Sequence, residues 1–501
     1  MVAIPREERA ETGRTLPATE IPGPPPMRLL GWRGALLPLL RRPVEYMLRL
    51  HRQYGDVVSL AKGSSEYVFV FSPEYNRQVL SDQMLFFNGE INSPASPIRI
   101  PPRSAVYRLF SGITTRNGEQ HTRQRRMLMP AFHKKRIEAL RDEMAAIAER
   151  HVSRWSVGEE RDALHDMKSL TLAVAMRGIL GLDPEREGEQ LREQMERWLR
   201  LTLSAGVVAL PYNVPGLPFH RMMSSAVGLE RDIRALIQHR RESAGGDGSA
   251  GRDALSILVE AHDEDGSRLT DDELIGHTTA LFVAGHETTA SALTWTLFLL
   301  DRHPRVLDAL LEELDAELHG EAPAVDQMSR LPLLDGVINE SLRLFPPGLW
   351  FLRVPTEPVR FGPYEVTERT RILWTPVVTH RDPAIYERPN NFVPERWATI
   401  NPSPYEYMPF GAGPRRCLGA TFAIMEMKVV LPVILQRYRL ALKPGTKVEL
   451  GGSPLAAPKG GLPVRVLRRG ARVPYAEVTG NAVRLAGLTP REVRSRLSGR
   501  R

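Results

Sequence analysis

The stretch Phe410-Gly-Ala-Gly-Pro-Arg-Arg-Cys417-Leu-Gly419-Ala420 decides how the rest of the chain is interpreted, because it holds the only cysteine among 501 residues. A lone cysteine usually serves as a small buried hydrophobe. Cys417 is instead framed by glycines, a proline and two arginines, and an apolar run typical of a helix follows it. Glycine lets a ligand lie close to the backbone, and a helix N-terminus favours an anion. The stretch therefore predicts a thiolate held under a large flat cofactor.

Composition places the chain among globular proteins, with 42% hydrophobic and 25% charged residues. One cysteine excludes a disulfide framework and a cysteine-rich zinc site, and it suits a reducing compartment. Residues 1–20 are polar and mixed in charge, so we expect no secretory signal. The segment from Leu281 to Leu300 is long enough to span a bilayer, but it would place Glu287 in the apolar layer, which is costly. A buried central helix explains the segment better, and we expect no transmembrane anchor.

Positive charge is concentrated at the C-terminus. Residues 468–501 hold nine arginines and two glutamates, so they carry +7 of the net charge of +8. A basic segment can bind nucleic acid or anionic lipid, although a solvated end is the simpler interpretation. Basic residues interleaved with aromatic ones would support RNA binding, and the sequence has no such motif. We therefore expect no nucleic-acid partner.

The spacing of apolar residues predicts a mainly α-helical chain with a smaller β-rich region. The longest helical pattern runs from Thr270 to His303, with a capping box of Thr270 and Glu273 at its start. Further helices are predicted at Arg136–Arg154, at Leu191–Leu203 and from just after Cys417 to about Arg437; strands at Tyr67–Phe71, around Val354, at Tyr364–Val366 and at Arg371–Trp374; and loops at Ser93–Pro102 and Ala244–Gly251. The chain is divided into an N-terminal arm with a Pro-rich segment (residues 1–44), a single domain (45–467) and a basic C-terminal tail (468–501).

The cysteine stretch matches the pattern Phe-x-x-Gly-x-Arg-x-Cys-x-Gly, with Phe410, Gly413, Arg415, Cys417 and Gly419 at its fixed positions. This pattern resembles the haem-binding signature of the cytochrome P450 family at every fixed position. The resemblance implies the fold of that family, with a long central helix over the haem. It also implies that haem b is the cofactor and that the Cys417 thiolate is the iron ligand.

The middle of the long helix reads Ala284-Gly-His-Glu-Thr-Thr289. Helical spacing places Ala284, Gly285 and Thr288 on one narrow face, where glycine and back-bonding hydroxyls can kink the helix and open a groove. Taken alone, such a face more often serves helix packing. The resemblance implies that Ala284 lies against the haem and that Glu287 and Thr288 form the acid–alcohol pair that steers protons. His286 would point away from the groove and is given no role.

Two further groups gain their meaning from the resemblance. Glu340 and Arg343 are one helical turn apart and, taken alone, would be a surface pair; with Arg396 they resemble the glutamate–arginine–arginine triad of the family, whose role is structural. His121 and Arg125 are also one turn apart and would otherwise be a solvated basic face. The resemblance implies that they contact a haem propionate. It implies the same, on a looser match, for Arg353, and Arg415 offers a fixed cation for a carboxylate.

The resemblance implies a monooxygenase that inserts one oxygen atom from O2 into a small hydrophobic substrate by hydroxylation or epoxidation. Only 84 residues follow Cys417, too few for a reductase domain, so we expect a separate ferredoxin or flavodoxin with its reductase. A basic patch could dock that partner: Arg123, Arg126, Lys134, Lys135 and Arg136. We expect a cytoplasmic, bacterial enzyme. The Pro-rich segment resembles that of membrane-anchored relatives, which leaves peripheral membrane contact open.

The substrate class stays open among fatty acids, terpenoids, steroids and polyketides. Mapping from the family places the pocket at Pro94–Phe110, Leu199–Leu210, Leu281–Thr288, Leu349–Phe351 and Pro454–Ala457. Leu349, Trp350, Phe351, Val207 and Val208 in these segments are apolar. Arginines at positions 99, 103 and 108 could pair with a carboxylate, which slightly favours a fatty acid.

Two other kinds of protein would share the cysteine stretch. A haem-binding sensor or carrier would not need the acid–alcohol pair, and a haem-thiolate enzyme that consumes peroxide or isomerises its substrate commonly alters it. Glu287 and Thr288 are both present in this chain. Their presence favours the monooxygenase over both alternatives.

Overall fold

Helices make up most of the molecule, which we describe from a computed structural model. The structure describes residues 20–89, 99–183, 186, 188–202, 204, 206–207, 210–243, 253–368, 370–451, 455–471 and 476–488. The predicted loop at residues 244–251, most of the one at 93–102, and Val208 and Pro454 lie outside these ranges.

The α-helices of the described residues are α1 Leu36–Arg41, α2 Pro43–Tyr54, α3 Pro73–Ser81, α4 Ala105–Phe110, α5 Gly118–Leu128, α6 Lys134–Ala139, α7 Arg141–Val152, α8 Ala163–Ala175, α9 Glu189–Thr202, α10 Pro218–Ser243, α11 Ala254–Glu260, α12 Asp271–Arg302, α13 Pro304–Leu318, α14 Pro332–Leu344, α15 Pro376–Thr379, α16 Ala420–Leu435 and α17 Asn481–Leu485. The predicted helices are confirmed, with one break at Leu140 that separates α6 from α7. The mainly helical fold class is therefore confirmed.

The strands form a five-stranded sheet, a three-stranded sheet and a hairpin. They are β1 Val57–Ser59, β2 Tyr67–Val70, β3 Phe86–Phe87, β4 Glu160–Asp162, β5 Phe351–Pro355, β6 Val359–Phe361, β7 Tyr364–Val366, β8 Arg371–Trp374, β9 Tyr438–Leu442 and β10 Pro463–Arg468. The large sheet has the order β1-β2-β8-β5-β3, in which β2 pairs with β8 in parallel and the other pairs are antiparallel. All the predicted strands are present, and most lie in this sheet.

The central helix α12 begins and ends where the sequence predicts. The Thr270 hydroxyl accepts from the Glu273 N–H at 3.3 Å, and the Glu273 carboxylate accepts from the Thr270 N–H at 2.8 Å, which forms the predicted capping box. From Thr289 to Leu300 every side chain of this helix is buried. Within the described residues, none of the helices combines the length and the apolar character that crossing a membrane would require.

Two glycines set the packing of α12. A Cβ on Gly285 would lie 3.0 Å from the Ile179 side chain, in the π-helical turn Met176–Leu180 that follows α8. A Cβ on Gly276 would overlap the backbone of Ser111 at the end of α4. The helix is unbroken from Asp271 to Arg302. Gly285 therefore allows close helix packing on the turn that follows α8, and the kink suggested by the sequence stays a prediction.

Both flanks of the proposed domain contact the body. The carbonyl oxygens of Pro22 and Pro24 accept from the N–H groups of Ser59 and Lys62, each at 2.8 Å. At the other end, α17 belongs to the main apolar core, and the Asn481 side chain accepts from the Leu450 N–H at 2.8 Å. The interpretation of a solvated end therefore does not hold for residues 476–488. The boundaries at residues 45 and 467 stay predictions.

Candidate active site

The cysteine loop is held by its own backbone and by helix α3. The Cys417 N–H donates to the Phe410 carbonyl at 2.9 Å, which closes the loop. Gly411 and Gly413 both have φ of +67°, the left-handed region predicted for them. A Cβ on Gly413 would overlap the carbonyl oxygen of Leu80 in α3. Gly413 therefore lets the loop approach α3, whereas the sequence suggested that it made room for a cofactor.

The loop places Cys417 two residues before Gly419, the N-cap of α16. Cys417 is exposed to solvent as a residue. Protein nevertheless surrounds its thiol closely enough that burial raises the pKa of the thiol above the usual value. The Gly419 N–H and the Arg125 and Arg416 guanidiniums act in the opposite direction without overcoming burial. The N–H at the helix N-terminus favours the thiolate, as the sequence suggests, but burial outweighs it in the chain without a metal ion. A metal ion bound to the sulfur would supply the missing positive charge.

Four basic side chains lie near one another close to Cys417: His121 and Arg125 from α5, Arg353 from β5 and Arg415 from the cysteine loop. We call them the cationic cluster. Burial, with Arg415, Arg125 and Arg353 nearby, lowers the pKa of His121 to about 3. Burial and then Arg415 lower the pKa of Arg353 to about 9, and burial and then Arg125 lower the pKa of Arg415 to about 10. The structure therefore brings together all four residues that the sequence nominated as propionate contacts.

The cationic cluster has no anion among the described residues. Arg353 is 8% exposed and donates to the Leu352 carbonyl at 2.9 Å, and Arg415 donates to the Arg116 carbonyl and the Asn117 side chain, each at 2.7 Å. His121 Nδ1 and Arg415 Nε are buried and have no hydrogen-bond partner in the part of the chain that the structure describes. Buried cations without a counter-charge are costly. A dicarboxylate ligand such as haem, with its two propionates, fits this donor set.

The distal face is formed by the middle of α12. Ala284 is exposed there, and most of its neighbours in the helix, including Gly285 and Thr288, are half-buried. The Thr288 hydroxyl donates to the Ala284 carbonyl at 2.6 Å, as expected for a back-bonding hydroxyl. His286 is buried and its Nδ1 bonds the Phe282 carbonyl at 3.0 Å, consistent with the expectation that it points away from the groove.

Glu287 has a partner that the sequence did not reveal. Its carboxylate lies 2.8 Å from Nζ of Lys168, which belongs to α8. The two side chains are about one third exposed, so the pair is neither buried nor fully solvated. Glu287 is therefore bonded to the neighbouring helix α8. Its carboxylate must separate from Lys168 before it can exchange a proton with the Thr288 hydroxyl.

The predicted triad is assembled and buried. Glu340 receives both Nε and Nη2 of Arg343 at 2.8 Å and Nε of Arg396 at 3.1 Å. The Val393 N–H and the Trp397 ring N–H also donate to this carboxylate, each at 3.0 Å. Glu340 and Arg343 are fully buried. Both carboxylate oxygens are thus saturated, which is the condition for a buried ion pair to be tolerated.

His380 connects the triad to the cysteine loop, and sequence reasoning missed it. Its Nε2 accepts from the Met408 N–H at 2.9 Å, so its Nδ1 carries the proton and donates to the Arg343 carbonyl at 3.1 Å. Burial and then Arg343 lower its pKa to about 3, so it is neutral. Met408 lies two residues before Phe410. No periodicity in the sequence marks His380, because its partners are backbone atoms.

Glu426 in α16 was also missed. It is fully buried, burial raises its pKa well above the usual value, and neither side-chain oxygen has a hydrogen-bond partner among the described residues. Burial therefore favours the neutral form of this carboxyl group. The only sequence signal is a single acidic residue within the apolar run that follows Cys417.

Arg108 does not offer its charge to a substrate. It donates through Nε and Nη2 to both carboxylate oxygens of Glu230, each at 2.7 Å, and so joins α4 to α10. A bidentate pair of this kind occupies the guanidinium fork. The apolar residues predicted to line the pocket include Phe351, which is 37% exposed and stacks on Trp374 at 4.5 Å. Of the three arginines that could have paired with the carboxylate of a fatty acid, Arg108 is therefore already paired, which weakens the argument for a fatty-acid substrate.

Comparison with known proteins gives consistent results. The family model described as Cytochrome P450 matches residues 22–459. Cyclooctatin synthase of Streptomyces melanosporofaciens is 33% identical over 427 residues, covering 83% of this chain and 89% of that protein. Pentalenene oxygenase of Streptomyces avermitilis is 29% identical over 444 residues, covering 87% and 94%. A solved cyanobacterial cytochrome P450 with bound retinoic acid has a TM-score of 0.76 at 26% identity, covering 90% of this chain and 100% of that one.

Proposed function

This chain belongs to the cytochrome P450 family, and from that premise we propose that it is a monooxygenase of terpenoids that holds haem b through Cys417. Members of this family bind haem and are oxidoreductases. The observation that carries the proposal is that Cys417, an exposed cysteine, lies near four basic side chains that have no anionic partner among the described residues. Haem, when bound, supplies O2 activation and the insertion of one oxygen atom into the substrate.

The residues of the chain would bind and orient the haem and leave space for the substrate. The cationic cluster would hold the haem propionates through charge-assisted hydrogen bonds and so orient the haem. Cys417 would hold the iron through its sulfur as a thiolate, with the thiol proton lost to solvent. Ala284 presents only a methyl group on the distal side, which leaves room for the substrate. Glu340, Arg343 and Arg396 keep the support behind the cysteine loop rigid, a structural role.

Glu287 and Thr288 manage protons on the distal side. The Thr288 hydroxyl lies on the exposed face of α12 with Ala284 and can both donate and accept. Glu287 faces the partly solvated side and bonds to Lys168. Rotation of Glu287 away from Lys168 would carry a proton from solvent toward the Thr288 hydroxyl. A positioned acid of this kind typically contributes about 100- to 10,000-fold to a proton-transfer step.

The relatives and the pocket support a terpenoid. One relative, 31% identical, is a cyclooctat-9-en-7-ol 5-monooxygenase, and another is the pentalenene oxygenase. The first name denotes an alcohol and the second an alkene, and neither name denotes a carboxylic acid. Arg108 is already bonded to Glu230, so a carboxylate would not gain that partner. An apolar polycyclic substrate therefore suits this chain better than a fatty acid.

Difference spectroscopy tests the substrate class. Purified holoenzyme is titrated with a cyclic C20 terpene alcohol and with a C20 fatty acid, and the displacement of solvent from the iron is followed. We expect the terpene alcohol to bind roughly tenfold or more tightly, and its oxygenated product to form when electrons are supplied. Tighter binding and turnover of the fatty acid would contradict the terpenoid assignment.

We also propose a separate redox partner, a ferredoxin or flavodoxin with its reductase, and a cytoplasmic, bacterial setting. Arg123 and Arg126 of the predicted docking patch are bonded to Asp263, with distances of 3.5 and 2.6 Å. Lys134 and Lys135 remain exposed on α6, which packs against α16. Lys134 lies 3.6 Å from Glu138 of the same helix, but its side chain is 78% exposed, against 30% for Arg123. These two lysines therefore carry the docking proposal, and Arg123 and Arg126 do not.

A further inference from the structure

The exposed surface between Pro25 and Arg42 has an unusual composition, since every exposed residue there is either apolar or an arginine. Leu29 is 98% exposed, and four other large apolar side chains are each about half exposed: Met27, Leu30, Leu37 and Leu40. We call these five residues the apolar strip. A single exposed leucine is ordinary, but a contiguous exposed apolar patch marks an interaction surface.

The charge of this segment has one sign. From Ile21 to Val44 the sequence contains four arginines, at positions 28, 33, 41 and 42, and no acidic residue. All four are exposed, and none forms an ion pair among the described residues. Arg33 lies over the Trp32 ring at 5.0 Å. The strip is therefore bordered by cations that form no ion pair with the described residues, although Arg42 lies near enough to Glu449 to help lower the pKa of that carboxylate.

A basic groove continues from the apolar strip. It has a volume of about 790 Å³ and is lined by Leu40, Arg41 and Arg42 together with Arg49, Lys447 and Lys459. Its two acidic residues, Glu45 and Glu449, lie 3.8 Å from Arg484 and 2.8 Å from Lys447 respectively. Because Leu40 belongs to both features, the strip and the groove form one continuous surface that is apolar at one end and cationic at the other.

We propose that this surface binds an anionic phospholipid bilayer. The leucines of the strip enter the boundary between headgroups and acyl chains, and the arginines contact lipid phosphates. Guanidinium groups match phosphate oxygens in pairs, and an indole such as Trp32 favours the membrane interface. Helix α1 has only six residues, so the segment lies on the bilayer and does not cross it. The peripheral contact that the sequence left open is thereby assigned to particular residues.

A second copy of the chain is a poorer occupant. A two-fold interface through this surface would place four arginines opposite four arginines, and like charges across an interface are repulsive. An anionic bilayer instead offers negative charge beside an apolar layer. The proposal does not depend on the identity of the substrate or on catalysis.

Vesicle co-sedimentation of the full-length holoenzyme tests the proposal. The vesicles are phosphatidylcholine alone, or phosphatidylcholine with phosphatidylglycerol at a molar ratio of seven to three. We expect the wild type to bind the anionic vesicles. Leu29→Ser/Leu30→Ser should weaken this binding roughly tenfold or more, and Arg41→Gln/Arg42→Gln roughly 30-fold. Only the leucine variant should reduce the binding that persists at high salt concentration. Matched controls remove exposed side chains elsewhere: Val157→Ser/Val325→Ser and Arg330→Gln/Arg360→Gln.

Each outcome decides the matter. Binding that the strip and arginine variants weaken and the controls retain supports the proposal. Absence of wild-type binding to anionic vesicles, or an equal loss in the controls, overturns it. A concentration-dependent dimer that the leucine variant abolishes, without vesicle binding, also overturns it and assigns the strip to a second copy. All variants should keep the wild-type haem spectrum and turnover in solution, so a failure here leaves the proposed function untouched.

Discussion

Arg353 illustrates how a binding site can be costly before its ligand arrives. Its guanidinium is almost fully buried and has no carboxylate partner among the described residues, and the neighbouring Arg415 helps to lower its pKa to about 9. Such groups persist because the ligand they bind returns more free energy than they cost. The cationic cluster is therefore a feature of function and a liability for the stability of the haem-free chain.

We predict opposite effects of Arg353→Leu on the two forms of the protein. The haem-free chain should gain stability, by about 1–3 kcal/mol, because a buried unpaired charge is removed. The holoenzyme should lose haem faster. Thermal unfolding of both forms and haem transfer to an acceptor protein measure these effects. Arg371→Leu is the matched control, since Arg371 is paired with Glu66 at 2.8 Å and its loss should not stabilise the haem-free chain. Destabilisation of both forms by Arg353→Leu would contradict this account.

We also predict that His380 makes the fold sensitive to acid. Its folded pKa of about 3 lies below the ordinary value of 6.5, so the unfolded chain binds more protons between these pH values. The stability it contributes is complete above pH 6.5 and is lost as the pH falls toward 3, by about 4 kcal/mol at pH 3.5.

Denaturant unfolding from pH 7 to pH 3.5 checks this for the wild type and for His380→Gln. Glutamine keeps an acceptor for the Met408 N–H and does not titrate. The difference in unfolding free energy between the two proteins should therefore shrink by a few kcal/mol toward low pH. A difference that does not change with pH would rule out a buried neutral His380.

At the scale of the elements, the cysteine loop and α3 are fitted to each other through a glycine. Gly411 and Gly413 share φ of +67°, so replacement by alanine adds a similar backbone strain at both, about 1–2 kcal/mol. Only at Gly413 would the new Cβ overlap the Leu80 carbonyl; at Gly411 the nearest atom is the Trp374 ring at 3.7 Å. The pair of positions therefore separates strain from close packing.

We expect Gly413→Ala to destabilise the protein by about 1–3 kcal/mol more than Gly411→Ala, and to loosen haem retention accordingly. Chemical denaturation of the two variants under identical conditions gives the difference. Equal destabilisation would show that the approach of the loop to α3 is not what requires glycine at position 413.

The triad holds α14 to the segment that leads into the cysteine loop. We predict that Glu340→Gln destabilises the fold by about 3–5 kcal/mol, because it leaves Arg343 and Arg396 buried without a carboxylate. Glu317→Gln is the control, since Glu317 bonds Arg330 at 2.8 Å on the surface and should change stability by less than about 1 kcal/mol. Equilibrium unfolding measures both. A loss of similar size in the two variants would remove the triad from its structural role.

At the scale of the whole molecule, the features that could be predicted from the sequence are those formed by residues close together in the chain. The cap of α12 lies within four residues, and the cysteine motif lies within ten, so both can be found without a fold. The strands around Tyr67 and Arg371 were also predicted, but their parallel pairing was not, since it joins residues about 300 positions apart.

The contacts that the sequence missed are those that only the fold creates. Lys168 meets Glu287 because α8 packs on α12, and Arg108 meets Glu230 because α4 packs on α10. Such pairs join residues more than a hundred positions apart, and no spacing rule predicts them. His380 bonds to backbone atoms of Arg343 and Met408. Because any residue has these atoms, the residue types at those two positions do not reveal the contact.

The central claim is that Cys417 holds the haem iron, and the absorption spectrum of the ferrous carbon monoxide complex tests it most directly. We predict a Soret band at much longer wavelength in the wild type than in histidine-ligated haem proteins, because a thiolate donates more electron density to iron. Cys417→His should move the band to the histidine position while the cationic cluster still retains haem. A histidine-type spectrum in the wild type, or an unchanged spectrum in Cys417→His, would contradict the account.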